Sequence, residues 1–84
     1  MKKVIRFTAD WCGPCKAYFS IFEEVEKEVD GVEFIVIDVD KDTTGLAAEY
    51  SVRSIPLTVI IDGDNITKEV GLLQKQQLIN LINK

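Results

Sequence analysis

Two cysteines stand three positions apart in the segment Trp11-Cys12-Gly13-Pro14-Cys15-Lys16, and they are the only cysteines in the chain. Paired thiols at this spacing can exchange with a disulfide, because one thiolate attacks to form a mixed disulfide and the second then displaces the bound partner. In a cytosolic protein, a C-x-x-C pair near a strand-helix-strand unit is typical of a redox motif. The segment therefore predicts thiol–disulfide chemistry that transfers two electrons.

Three other interpretations of the cysteine pair compete with redox chemistry. A structural disulfide would gain little, since closing so short a loop stabilises a fold by only about 2 kcal/mol and a cytosol would reduce it. A zinc or iron–sulfur site would have to be shared by two chains, because this chain has no histidine and no third cysteine. Two inert buried cysteines are the third alternative, although a C-G-P-C segment is a poor match for core filling. Redox chemistry is the favoured interpretation.

The elements around the cysteines form a strand-helix-strand unit. Residues 3–8 predict a short strand, and Val32–Asp38 is rich in the β-branched and aromatic residues of a buried strand. Between them, residues 13–29 predict a helix, with Gly31 as its stop signal. Apolar side chains recur at helical spacing in this segment, namely Cys15, Tyr18, Phe19, Phe22, Val25 and Val29.

The second half of the chain predicts four more elements. The first is a short helix that Thr43 or Thr44 caps and that ends near Tyr50. Two strands follow, at Leu57–Asp62 and at residues 66–70, and the turn Asp62-Gly63-Asp64-Asn65 joins them. The last is a helix whose inward side chains are Leu78, Ile79 and Ile82. A right-handed crossover makes the first two strands parallel, and the hairpin adds the other two. The sequence therefore predicts an α/β fold, a four-stranded mixed sheet with helices on both faces in the order β-α-β-α-β-β-α.

This arrangement gives the two cysteines different roles. Cys12 is predicted at the N-terminus of the first helix, where unpaired amide groups and the helix dipole favour a thiolate. We therefore expect Cys12 to be the exposed nucleophile and Cys15, one turn further in, to be the resolving thiol. Pro14 suits the first helical turn because its missing N–H would be unpaired there, and Gly13 allows a partner chain to approach closely.

Composition and charge narrow the class of protein. With 84 residues the chain is expected to form one domain over residues 1–84, and a net charge of −4 argues against nucleic acid as a partner. The longest apolar run, at residues 34–37, is far too short to cross a membrane. The start Met1-Lys2-Lys3 resembles a signal-peptide n-region, but Arg6 and Asp10 interrupt the apolar stretch that should follow. These observations favour a cytoplasmic protein.

The sequence resembles the thioredoxin family. The segment at residues 11–16 is that family's active-site motif letter for letter, Ser54-Ile55-Pro56 resembles its cis-proline loop, and Val70-Gly71 resembles another substrate-facing segment. The resemblance covers essentially the whole chain apart from a strand and helix that most thioredoxins carry ahead of it. It implies a thioredoxin-like fold and a protein-disulfide reductase that needs no bound cofactor and is itself re-reduced by a thioredoxin reductase.

The resemblance also implies a substrate surface around Cys12. The Ile55–Pro56 bond should be cis and face the sulfurs, with the Ile55 backbone available to an extended substrate segment. Disulfide-containing proteins are the implied substrates. The apolar platform would consist of Trp11, Gly13, Pro14, Ile55, Pro56, Gly71 and Leu72.

The chain departs from the family at Arg6. Most thioredoxins carry a buried carboxylate six residues before the nucleophilic cysteine, where it helps the second cysteine lose its proton. Arginine cannot accept a proton, although its charge could stabilise a nearby thiolate. An equal alternative is that Arg6 reaches the surface and only the stem of its side chain is buried. Asp10 and Asp38 are the only nearby acids and are expected to be solvated. Redox tuning is therefore assigned to Arg6, Lys16 and Asp38.

Two other functions are compatible with the sequence. A glutaredoxin-like reductase that uses glutathione is the enzyme alternative, although Gly-Pro between the cysteines argues against it. A non-catalytic interaction subunit is the other alternative, and retention of both cysteines argues against that. The strand at Val32–Asp38 should be a sheet edge that Glu33 and Asp38 protect from pairing, so we expect a monomer with a weak tendency to dimerise.

Overall fold

The computed structural model describes residues 2–84, so the Met1 of the signal-like start lies outside the described residues. Seven elements alternate along the chain: β1 (Lys2–Thr8), α1 (Gly13–Glu28), β2 (Val32–Asp38), α2 (Leu46–Glu49), β3 (Leu57–Asp62), β4 (Asn65–Val70) and α3 (Lys75–Asn83). The strands form one sheet in the order β2-β1-β3-β4. β1 and β2 are parallel, whereas β3 is antiparallel to both β1 and β4. The predicted mixed sheet and element order are confirmed.

The sheet buries a different core on each face because side chains alternate along β1. Val4 points to one face and packs with residues of α1 and α3. Ile5 and Phe7 point to the other face, where α2 covers them. The first core consists of Val4, Tyr18, Phe22, Val25, Ile60, Leu73, Leu78 and Ile82. Helices thus cover both faces, as predicted.

The strand register places the cysteine segment at one end of the sheet. Thr8, the last residue of β1, pairs with Asp38, the last residue of the parallel strand β2. The chain leaves β1 there and enters α1 within five residues, from Thr8 to Gly13. On the other side of β1, Phe7 pairs with Leu57, so β3 begins at the same end. The loops after β1 and before β3 therefore meet beside the cysteines.

The short second helix differs from its prediction. It covers only Leu46–Glu49, and its N-cap residue is Gly45 with a φ of 80°, although the predicted Thr44 hydroxyl does accept the N–H of Leu46 at 3.1 Å. The Asp42 carboxylate also accepts hydrogen bonds from the backbone N–H groups of Thr44 and Ala47, at 2.8 and 2.9 Å. This local side-chain bonding competes with helix formation, so the helix begins two residues after Thr44.

A buried pair of hydroxyl groups joins α1 to β3. The Tyr18 and Thr58 oxygens lie 2.7 Å apart, and both residues are at most 1% exposed. Burial raises the pKa of Tyr18, while the hydrogen bond to Thr58 acts in the opposite direction. A raised pKa means that the folded state keeps its proton at a pH where the unfolded chain has lost it.

We expect this pair to make stability fall at alkaline pH. The Tyr18 contribution is fully present below pH 10 and is lost as the pH rises above it, with a slope approaching about 1.4 kcal/mol per pH unit for one proton. Urea unfolding between about pH 8 and 11 measures the slope. The control is the double variant Tyr18→Phe/Thr58→Val, which removes both hydroxyls and leaves neither unpaired. Equal slopes in the two proteins would contradict the prediction.

Candidate active site

The cysteine pair lies at the beginning of α1, as the sequence predicts. A disulfide joins Cys12 to Cys15, with 5.2 Å between their Cα atoms. Cys12 is the N-cap residue of the helix, and the backbone N–H of Cys15 donates a hydrogen bond to its sulfur at 3.2 Å. Such an N–H group favours negative charge on the acceptor sulfur. This end of α1 is therefore built to stabilise a thiolate at Cys12.

Cys12 is less exposed than the sequence suggested, whereas Cys15 is buried as predicted. Cys12 is 5% exposed and Cys15 is 1% exposed, so the expected order is present, but the expectation of an exposed Cys12 was wrong. The cause is a small apolar cluster of Ala9 and the two cysteines, against which Val39 and Ile55 pack. Ala9 and Val39 were not predicted as site residues. They lie one residue beyond the ends of β1 and β2, which is the only sequence signal that could have indicated them.

The loop before β3 contacts this cluster and carries a cis peptide bond between Ile55 and Pro56. The N–H of Gly71 donates a hydrogen bond to the Pro56 carbonyl oxygen at 2.8 Å, which brings the end of β4 to the same loop. Gly71 has a φ of 98°, a conformation that favours glycine. Leu72 is placed differently, since its half-buried side chain packs against the core between α1 and α3.

The exposed part of the site is formed by Trp11, Gly13 and Pro14. The Trp11 side chain is 69% exposed, and its indole N–H donates a hydrogen bond of 2.7 Å to the Asp40 carboxylate. Asp40 was not predicted as a site residue, because it belongs to the loop after β2 and its distance from Trp11 depends on how that loop turns. A Cβ atom built on Gly13 would meet nothing within 4 Å, so the surface beside Cys12 is open.

Arg6 is buried below α1, which settles its location between the two predicted alternatives. The residue is only 4% exposed, and its Nε atom is buried without a hydrogen-bond partner. Its guanidinium carbon lies 5.5 Å from the centre of the Phe19 ring and 5.1 Å from that of Phe22. Burial lowers the pKa of Arg6. The surface alternative, in which only the stem is buried, was wrong because the two rings cover the charged end as well.

A cavity of about 480 Å³ connects Arg6 with Cys15. Lys16 also lines it, as does Asp10, which the sequence named as a nearby acid. Asp10 is exposed and accepts a bond of 2.9 Å from the Lys41 ammonium. Asp38 is half-buried and lies 3.9 Å from the same ammonium, and it is not part of the cavity wall. Of the three residues assigned to redox tuning, the structure thus brings Arg6 and Lys16 to one cavity beside Cys15.

Two further observations concern metals and membranes. Within residues 2–84, no group of three or more His, Cys, Asp or Glu side chains is placed to hold a metal ion. None of the helices in the same part of the chain combines the length and the apolar character that crossing a membrane requires.

Known proteins are similar to this chain in sequence and in fold. The sequence model of the thioredoxin family matches residues 1–84. The thioredoxin of Mycoplasmoides gallisepticum is 39% identical over 82 residues, which cover 96% of this chain and 81% of that protein. The thioredoxin of Chlamydia trachomatis is also 39% identical, over 96% of this chain and 79% of its own length.

Solved structures agree with the sequence comparison. The thioredoxin of Fasciola hepatica superimposes with a TM-score of 0.86 at 34% identity, and the match covers 98% of this chain and 78% of that one. Chloroplastic thioredoxin z superimposes with a TM-score of 0.87 at 30% identity, over 99% of this chain and 76% of its own. The cysteine pair occupies the turn from strand to helix that the fold provides for it. The chain belongs to the thioredoxin family and is a thiol–disulfide oxidoreductase.

Proposed function

We propose that this chain reduces disulfides in proteins, with Cys12 as the nucleophile and Cys15 as the resolving thiol. The observation that carries the assignment is the position of the Cys12 sulfur at the N-terminus of α1, where it accepts the N–H of Cys15. An amide N–H that points at a sulfur stabilises the thiolate relative to the thiol, and the thiolate is the species that attacks a disulfide.

The reaction proceeds by two exchanges. The Cys12 thiolate attacks one sulfur of the substrate disulfide, whose S–S bond breaks as a Cys12–substrate bond forms and the other sulfur leaves as a thiolate. The Cys15 thiolate then attacks the Cys12 sulfur, and the second substrate sulfur leaves. The substrate gains two electrons, its two thiolates take protons from solvent, and the product on this chain is the Cys12–Cys15 disulfide.

The substrate is proposed to lie across the exposed surface beside Cys12. Three features support this. Trp11, Gly13 and Pro14 are exposed at the start of α1, the cis-proline loop packs on the cysteine cluster, and Gly71 donates a hydrogen bond to that loop. The Ile55 backbone would offer hydrogen bonds to an extended segment. The proposed contact residues are Trp11, Gly13, Pro14, Ile55, Pro56 and Gly71, with Leu72 supporting the loop from the core side.

The proposed setting of this activity is the cytoplasm, where a single domain formed by residues 1–84 would carry electrons from a thioredoxin reductase to protein substrates. The charged residues Arg6 and Asp10, which interrupt the apolar stretch after the start of the chain, support this location. No resident cofactor is needed by the exchange chemistry, because the two sulfurs carry both electrons.

The test is turnover of a protein disulfide with two alternative electron donors. Insulin is a suitable probe because its disulfides are accessible, and the donors are NADPH with a thioredoxin reductase, or glutathione with glutathione reductase. We expect turnover with the first donor. Turnover with glutathione alone would indicate the glutaredoxin-like alternative. If neither donor nor excess dithiothreitol supported faster reduction than the Cys12→Ser/Cys15→Ser control, the proposed function would be wrong.

We also propose that the protein is a monomer, although β2 and β4 are both edges of the sheet. Within residues 2–84, β2 pairs only with β1 and forms one edge of the sheet, where Val36 is 51% exposed. An exposed strand edge can pair with another chain, but Glu33 and Asp38 place charges along it. Sedimentation velocity at micromolar concentration should therefore show one species of about 9.5 kDa. A tight dimer under these conditions would contradict the proposal.

A further inference from the structure

Arg6 is a buried cation without an ionic partner. No ion pair among residues 2–84 includes it, and its Nε atom has no hydrogen-bond acceptor. An arginine keeps its charge at any ordinary pH, and burying a charge is costly unless the charge is paired. The stability of this arrangement therefore depends on what surrounds the guanidinium group.

The surroundings compensate for the charge only weakly. The faces of the Phe19 and Phe22 rings attract a cation, but such contacts contribute only about 0.5–2 kcal/mol. Tyr18, Glu23 and Glu26 of α1 raise the pKa of Arg6, in that order of size, and neither glutamate forms an ion pair with it. The cationic side chain is thus almost fully buried beside a cavity that Thr8, Asp10 and Lys16 also line, and no ion pair among residues 2–84 balances its charge.

The cavity beside Arg6 contains a group that becomes an anion when the disulfide is reduced. Cys15 forms part of the cavity wall together with Thr8, Ala9, Asp10, Lys16, Phe19 and Arg6 itself. Asp10 is the one acid among these, and its exposed carboxylate is bound to Lys41. In the disulfide, the Cys15 sulfur carries no charge. Reduction allows it to become a thiolate in the same cavity as the Arg6 side chain.

We propose that Arg6 is the electrostatic partner of the Cys15 thiolate, an assignment that rests on the proposed function and specifies how its second exchange proceeds. A dithiol donor breaks the Cys12–Cys15 bond and supplies two electrons, and the proton of the Cys15 thiol goes to solvent. The positive charge then favours the thiolate over the thiol. The resolving step therefore needs no carboxylate in this cavity to accept a proton.

The first test measures the pKa of Cys15 directly. In a Cys12→Ala background Cys15 titrates alone, without coupling to a second thiol. Adding Arg6→Met should raise the Cys15 pKa by about one to three units, the range expected for losing a nearby opposite charge. Arg6→Lys should restore most of the shift. Arg53→Met removes an exposed arginine elsewhere and should change nothing, whereas Lys16→Met should have a smaller effect than Arg6→Met.

The second test measures the dithiol–disulfide equilibrium of the whole protein in a glutathione redox buffer. At about pH 9, Arg6→Met should favour the disulfide by about tenfold or more relative to the unmodified chain, which corresponds to about 30 mV for two electrons. At about pH 5.5 the two proteins should agree, because a protonated Cys15 gains little from a neighbouring charge. This pH dependence distinguishes an electrostatic effect from a change in packing.

The Cys15 titration and the redox equilibrium can fail independently of the turnover assay that tests the proposed function. Replacing a buried charge with an apolar residue is often neutral or stabilising, so Arg6→Met is expected to fold, and Arg6→Gln serves as the neutral variant if it does not. An unchanged Cys15 titration, or a shift in the equilibrium that is the same at both pH values, would overturn the proposal. Neither readout involves a protein substrate, so a failure of the proposed function would appear only in the turnover assay.

Discussion

Cys12→Ser is expected to abolish the reduction of protein disulfides, whereas Cys15→Ser should still attack a substrate and then remain joined to it. The physical reason is the asymmetry of the pair at the start of α1. The Cys12 sulfur accepts the N–H of Cys15 and lies beside the open surface at Gly13, while Cys15 is almost completely buried. Without Cys15 there is no neighbouring thiolate to displace the substrate, so the mixed disulfide accumulates.

The measurement combines turnover with mass spectrometry of the reaction mixture. We expect the Cys15→Ser protein to gain the mass of the substrate and to lose it again on addition of dithiothreitol. Cys12→Ser should form no such adduct. A complementary measurement is the rate of alkylation of the reduced protein at neutral pH, where Cys12 should react first because more of it is thiolate. Faster labelling of Cys15 would reverse the assignment of nucleophile and resolving thiol.

The parts of this molecule that follow from sequence are those fixed by local pattern. The composition of residues 3–8 indicated a strand, and the helical spacing of the apolar residues in α1 indicated which side chains face the sheet, so both elements were predicted to within about one residue. The cysteine segment could be predicted equally well, because its spacing and its place between a strand and a helix are both properties of neighbouring residues.

The parts that could not be predicted depend on how distant segments pack. The hydrogen bond from Trp11 to Asp40 requires the loop after β2 to turn toward α1, and no short-range pattern specifies that turn. Arg6 was compatible with a buried or a surface position, because a long side chain on an inward strand position can extend to either. Its burial is decided by Phe19 and Phe22, whose rings come from another element.

Phe22→Ala is expected to remove a large part of the stability of the fold. Phe22 is 1% exposed, and its ring makes edge contacts with Tyr18 and Phe34, with centroids 6.1 and 5.5 Å away. Deleting a buried aromatic side chain usually costs about 3–5 kcal/mol, since transfer free energy and packing are both lost. A domain of this size has only about 5–15 kcal/mol in total, so the variant should be partly unfolded even without denaturant at elevated temperature.

Urea unfolding of a matched set of variants checks this prediction. Phe19→Ala is the control, because its ring also faces Arg6 but is 48% exposed, and we expect a loss of about 1 kcal/mol or less. Phe22→Leu keeps most of the apolar volume and should cost less than about 1.5 kcal/mol. A loss for Phe22→Ala no larger than that for Phe19→Ala would show that the cluster between α1 and the sheet is not the main core.

The same variants separate the packing role of Phe22 from its role toward Arg6. Phe22→Leu removes the aromatic face that lies 5.1 Å from the guanidinium carbon while keeping the core filled. If the ring stabilises the buried charge, Phe22→Leu should lower the free energy of unfolding more when Arg6 is present than in an Arg6→Met background. The difference, the coupling free energy, should be about 0.5–2 kcal/mol. A coupling free energy of zero would mean that the ring only packs against the sheet. The charge of Arg6 would then be balanced by the Phe19 ring, by the Tyr18 and glutamate side chains of α1 and, in the reduced protein, by the Cys15 thiolate.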